Sequence, residues 1–313
     1  MMRLSSRPAL ATYFTLFSSA CPHGTTAATS ACSPAFILPV VRSMSSSSNL
    51  LASTAPSRGA GEAELPSAAE IASRLEEVGG NVAAAAKEAS RPPDSVRLVA
   101  VSKTKPVELL RAAYDAGQRT FGENYAQELY MKAEEMTEDD IEWHFIGPLQ
   151  SNKAAQLIKR VGLDRLRCVE TVATAKLARK LDRAAGEVGG EGSGEGERKK
   201  LGIYIQVNTS GEESKSGLTP GGELLDLVRT VADECPNISV DGLMTIGAPG
   251  DYGCFDTLAG CREEVAGALG VEPGSLELSM GMSGDYQEAI ARGATSVRVG
   301  STIFGARDYS DKK

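Results

Sequence analysis

The chain has 313 residues with 42% apolar side chains, enough to bury the core of one large barrel or two ordinary domains. Formal net charge is −8, but residues 1–61 hold four arginines (Arg3, Arg7, Arg42, Arg58) and no acid. The rest therefore carries 33 − 4 = 29 basic and 41 acidic residues, a net −12, which argues against general nucleic-acid binding through a basic face.

Residues 1–61 are rich in Ser, Ala and Thr, with short apolar patches such as Tyr13–Phe17 and Ala35–Val41. None reaches the ~18–20 apolar residues of a membrane span. An arginine-bearing, acid-free leader of this kind predicts a transit peptide for a mitochondrion or plastid, or plain disorder. Translation from Met44 would instead give a cytoplasmic form. Residues 62–313 remain as the folded domain.

Pro66–Ser90 reads as a helix, because Ile71, Leu75, Val78, Val82 and Ala85 recur at three- and four-residue spacing. Arg97–Lys103 is the first strand, a short apolar run stopped by Ser102 and Lys103. Pro106 then opens a helix over Val107–Ala116, which Gly117 stops. Strands follow at Thr120–Asn124, Trp143–Gly147 and, weakly, Arg167–Glu170. Helices are expected around Tyr125–Glu135, after Ser151 and over Val172–Ala185. Gly186–Lys200 has no apolar residue but Val188 and predicts a flexible surface loop. Leu201–Asn208, Ser239–Ile246, Ser275–Gly281 and Ser296–Gly300 complete the strands. Helices alternate with them at Gly222–Glu234, Phe255–Leu269 and near Asp285–Ala291.

Eight strands alternating with helices have the count and size of a (β/α)8 TIM barrel, here one α/β domain with an extra N-terminal helix. A doubly wound sheet is the alternative. It would show a Gly-rich phosphate turn after the first strand, where this chain has Lys103.

Side chains alternate along a strand, so Val99, Val101 and Lys103 share one face. Lys103 thus ends a strand on an apolar face, at the end where α/β folds bind ligands. A desolvated ammonium loses proton affinity, and the neutral amine attacks aldehydes. A Schiff base with pyridoxal 5′-phosphate is the product this suggests. The alternative is a lysine snorkelling into water.

Gly300 and Ser301 follow the eighth strand, and Gly281-Met282-Ser283-Gly284 follows the seventh. Barrels often hold phosphate in these two loops. Arg298 lies two residues before Gly300 and should point inward, toward a ligand ring or toward a carboxylate such as Glu123 or Glu170. Asn124 ends the second strand. His144 lies on the third and reads best as a hydrogen-bonded core residue. The six cysteines form no CxxC, and the histidines are only His23 and His144, so metal-ligand spacing is absent.

The segments AVSKTKP, FGENY, WHFIGPLQSNK, SKSG at Ser214–Gly217, GLMTI, LSMGMSGD and VRVGSTIFGARDY resemble the pyridoxal-phosphate homeostasis protein family. The likeness runs from Ile71 to Tyr309. It implies the fold-type III barrel found at the N-terminus of alanine racemase. It also implies binding of pyridoxal 5′-phosphate for vitamin B6 homeostasis, without established turnover. Residue by residue, Lys103 matches the Schiff-base lysine and Arg298 the arginine facing the pyridine nitrogen. Ser283, Gly300 and Ser301 match the phosphate cradle, and Asn124 the residue near the ring. The leader, the Gly186–Lys200 loop and the Gly247–Gly253 segment depart from the shared pattern.

Three functions follow as alternatives: a cofactor carrier that hands its load to recipient enzymes, an amino-acid racemase, or a barrel holding another phosphorylated metabolite. Racemases use a tyrosine from a further β-domain, whereas only Ser310–Lys313 follow Tyr309 here. That contrast and a self-closing sheet make a monomeric carrier the expectation.

Overall fold

The computed structural model describes residues 65–189, 199–212 and 215–306. The leader reading, the middle of the Gly186–Lys200 loop, Ser214 and Tyr309 lie outside the described residues.

Eight strands close into one barrel: β1 (Arg97–Val101), β2 (Thr120–Glu123), β3 (Glu142–Phe145), β4 (Leu166–Val172), β5 (Leu201–Gln206), β6 (Ile238–Met244), β7 (Glu277–Met282) and β8 (Ser296–Val299). Neighbours in sequence are neighbours in the sheet. All pairs are parallel, and β8 returns to β1 in the register Val99 to Arg298. Each of β1 to β7 leads into an outer helix: α2 (Val107–Asp115), α3 (Ala126–Glu135), α4 (Ala154–Val161), α5 (Ala175–Gly189), α6 (Gly222–Glu234), α7 (Gly253–Leu269) and α8 (Tyr286–Ala291). After β8 the described residues hold only the single turn α9 (Ser301–Phe304).

The N-terminal helix α1 (Ala68–Glu88) fills the gap this leaves. It packs against α8, α9 and α2, so it supplies the eighth helix of the outer ring rather than an appendage. Its five expected apolar positions are all buried. Ser67 starts it with a capping box: the Ser67 hydroxyl accepts from Glu70 N–H, and Glu70 accepts from Ser67 N–H at 2.8 Å. Arg91 then ties the α1–β1 connection to the far end of the chain, donating to the Ala294 carbonyl at 2.7 Å.

Several strands stop one or two residues short of the sequence expectation. β1 ends at Val101, not Lys103, and β5 ends at Gln206, not Asn208. Polar side chains and turns compete there for the backbone groups a ladder would use. The fourth strand is instead longer than expected, reaching Val172 where a helix was expected; α5 begins at Ala175. Val172 is wholly buried and pairs with Ile205, so sheet packing overrides the helical pattern.

The barrel interior is unusually polar. At its amino-terminal end Arg97 pairs with Glu277, Arg167 with Asp241 at 2.7 Å, and Tyr204 donates to Glu277 at 2.7 Å. Interior glycines make room for this: a Cβ on Gly202 would sit 2.5 Å from the Asp241 carboxylate. Among the described residues no helix is long and apolar enough to cross a membrane.

Candidate functional site at the carboxyl end of the barrel

A cavity of about 690 Å³ opens at the carboxyl ends of the strands. All six residues singled out in the sequence line it: Lys103, Asn124, Ser283, Arg298, Gly300 and Ser301. They come from the ends of β1, β2, β7 and β8, which the closed sheet makes neighbours around one axis.

Lys103 lies in the turn beyond β1, yet the alternation of the strand carries over. Val101 and Lys103 both line the cavity, while Ser102 is wholly buried on the other side of the sheet. There Ser102 Oγ donates to Glu123 Oε1 at 2.6 Å, and Lys132 Nζ donates to the same oxygen at 2.6 Å. Glu123 therefore faces α3, not the barrel axis. Burial pushes its carboxyl up to about 7, outweighing the pull of Lys132.

Asn124 continues β2 into the cavity wall. Gly147 on the neighbouring segment carries no side chain, since a Cβ there would lie 2.0 Å from the Asn124 carbonyl oxygen. Asn124 lines the cavity, and its Oδ1 is buried without a hydrogen-bond partner among the described residues.

The loops after β7 and β8 meet directly: Gly300 N–H donates to Ser283 Oγ at 3.2 Å. Gly281 has φ +90°, and a Cβ there would be 2.6 Å from Ala289 Cβ and 2.9 Å from Tyr286 Cα. Only glycine combines that backbone with so close an approach of α8. The chain then turns at Gly300 into α9, where helix geometry leaves the first N–H groups without intrahelical acceptors. Hydroxyls of Ser283 and Ser301 beside these N–H groups suit an anion.

Arg298 lines the cavity, and its Nη1 is 3.9 Å from Glu170 Oε2, one of the two carboxylates expected as its partner. Between them Ser279 Oγ accepts from Arg298 at 2.6 Å and donates to Glu170 at 2.5 Å. Arg298 Nη2 donates to the Thr245 carbonyl at 2.7 Å. Burial lowers the guanidinium from its ordinary value while Glu170 and Asp285 oppose that, and it stays charged at neutral pH. Glu123, the other carboxylate expected as a partner, is not one.

Below Arg298, Glu170 Oε1 is 2.7 Å from His144 Nδ1, and Cys168 Sγ is 3.1 Å from the same nitrogen. Burial pushes the Glu170 carboxyl up, but His144, Arg298 and Ser279 outweigh it and hold it below the ordinary range. Burial beside Glu170 pushes the Cys168 thiol well up. His144, Cys168 and Glu170 thus bring together ligand types whose spacing in the sequence gave no sign of grouping. His144 Nδ1, Glu170 Oε1 and Cys168 Sγ are hydrogen-bonded to one another, as expected of a core histidine, while His144 Nε2 is buried without a partner among the described residues.

Met244, Ile246 and Ser279 belong to the site and were not singled out in the sequence. The signal was present in the period of two: Met244 and Ile246 share a face, as do Ser279 and Gly281.

The family model described as alanine racemase, N-terminal domain, matches residues 74–308. The barrel is thus of the alanine racemase N-terminal class. The chain belongs to the family of pyridoxal phosphate homeostasis proteins. The protein of that name from Bos taurus is 46% identical over 238 residues, covering 72% of this chain and 83% of its own. The structure of PipY from Synechococcus elongatus with pyridoxal phosphate bound has a TM-score of 0.60 at 33% identity, covering 75% of this chain and all of PipY. An alanine racemase from Bartonella henselae shares the fold alone, with a TM-score of 0.54 at 16% identity over 77% of this chain and 59% of its own.

Proposed function

We propose that this chain binds pyridoxal 5′-phosphate in the cavity at the carboxyl end of its barrel and serves vitamin B6 homeostasis as a carrier. The observation that carries the reading is the convergence of an amine, a guanidinium and two hydroxyl-bearing loops on one cavity. The donor set fits the group: Lys103 for an aldehyde, Ser283, Gly300 and Ser301 for a phosphate, and Arg298 for a ring nitrogen. Asn124 lines the same cavity. When bound, the group supplies an electron sink for reactions at amino-acid carbons.

The chain's own residues favour holding over catalysis. Arg298 is a permanent cation and can only donate. Glu170 is held by Ser279 and His144, away from the role of a carboxylate that keeps a ring nitrogen protonated. Arg298 therefore leaves the sink weak. The names of relatives such as the Bos taurus protein, which refer to homeostasis, support the same reading.

The test is titration of the purified chain with pyridoxal 5′-phosphate. We expect one equivalent to bind and give a visible band that borohydride removes. Pyridoxal without phosphate should bind about tenfold more weakly or worse, because the phosphate-side hydrogen bonds are lost. Interconversion of L- and D-alanine should be negligible. Fast racemisation, or equal affinity for the two vitamers, contradicts the proposal.

A further inference from the structure

Lys103 stands between two neighbours that are tied down from behind. The Ser102 carbonyl accepts from Lys132 Nζ at 2.8 Å. The Thr104 N–H donates to Glu128 Oε1 at 2.5 Å. Lys132 Nζ joins the two ties, donating to Glu128 Oε1 and to Glu123 Oε1, each at 2.6 Å. The side chains of Lys132 and Glu123 are 4% and 0% exposed, and none of the three lines the cavity.

Two features ask what this arrangement does. A buried ion pair is weak evidence for stability, since apolar residues of similar volume often serve as well. Thr104 has φ +61°, a backbone region disfavoured for a β-branched residue and kept only where the surroundings over-determine it. β1 has already ended at Val101. Beyond it the main chain keeps the Ser102 N–H bond to Gly122 and a turn from Lys105 N–H to Ser102.

We propose that Lys132 and Glu128 are positioning residues for Lys103. They fix the peptide units on both sides of it, so that its Cα–Cβ bond points into the cavity. The long, flexible lysine stem then starts from a fixed root when it engages a ligand. This rests on the reading that Lys103 is the amine that holds pyridoxal phosphate.

Glu128→Ala and Glu128→Gln in the full chain test it, with Lys132→Met as a stronger lesion. In the cofactor-free protein, Glu128→Ala should speed hydrogen exchange at the Thr104 amide about tenfold or more, because a charge-assisted bond is lost. Glu128→Gln keeps an acceptor oxygen and should restore protection. After loading with pyridoxal 5′-phosphate and borohydride reduction, Glu128→Ala should show about tenfold weaker binding and label shifted from Lys103 toward other lysines. Glu128→Gln should return both toward the unmodified protein. Unchanged Thr104 exchange, or faster exchange with all label still on Lys103 at full affinity, overturns the positioning role. If the unmodified chain takes up no cofactor, the binding proposal falls, and the exchange data alone decide the clamp. Should Lys132→Met fail to fold, the Glu128→Ala and Glu128→Gln pair still decides between the two outcomes.

Discussion

Glu123 titrates under conditions where its effect on stability can be read. Its folded value is about 7 against 4.5 for the ordinary side chain. Between those values the folded chain holds a proton that the unfolded chain has released. Stability therefore falls as pH rises through that window, and this contribution is gone above it. The full separation corresponds to a few kcal/mol, on the order of 3. We expect the melting temperature of the unmodified protein to fall relative to Glu123→Gln between about pH 5 and pH 7.5. A difference that stays flat or rises over that range contradicts the assignment. Glu170 has the opposite sign: held below the ordinary range, it contributes stability that is lost only as pH drops below about 4.5.

At this scale the sequence disclosed the residues that follow a strict alternation. Lys103 and Arg298 could be placed inside because a strand assigns its faces by parity, and Ser283, Gly300 and Ser301 because loops after β7 and β8 must adjoin. Glu128 and Lys132 escaped notice, since charges on an outer helix normally read as solvated. The clue was a lysine on an apolar stripe: Leu129, Lys132, Ala133 and Met136 follow the i, i+3, i+4, i+7 pattern, and all are buried. That Glu170 and not Glu123 would meet Arg298 depends on which face each carboxylate takes. The irregular register between β3, β4 and β5 hides this in the sequence.

At the scale of elements, glycine separates the rigid contacts from the dispensable ones. Gly147→Ala should destabilise the barrel by about 2–4 kcal/mol, because backbone meets backbone at Asn124 and no side chain can give way. It should also weaken pyridoxal phosphate binding, since Asn124 lines the cavity. Gly80→Ala in α1 meets open space and should stabilise by about 0.5–1 kcal/mol through helix propensity. Thermal or denaturant melts of the pair check both, and similar effects of the two changes would contradict the packing described. The helices were legible because their apolar stripes are long, as in α1. The strand ends were not, since the last residues of β1 and β5 are decided by what leaves the ladder. The role of α1 as the eighth outer helix was not visible either. A stripe records that a face is buried, not which helices bury it.

For the whole molecule, the barrel of the described residues has no edge strand, because β8 pairs with β1. A closed sheet offers no pairing template to a second chain. We expect a monomer in sedimentation at micromolar concentration; a dimer there would contradict that proposal. Residues 1–61, with four arginines and no acid, remain proposed as an organelle address. A chain beginning at Glu62 should melt and bind as the full chain does, while a reporter fused to the leader should leave the cytosol. The central claim is that the barrel mouth holds pyridoxal phosphate through Lys103. The most direct measurement is borohydride reduction of the loaded, unmodified protein followed by peptide mapping. The account predicts the pyridoxyl group on the peptide carrying Lys103, at that lysine. The label on Lys105 or Lys215 instead, or no covalent label at all, would contradict it.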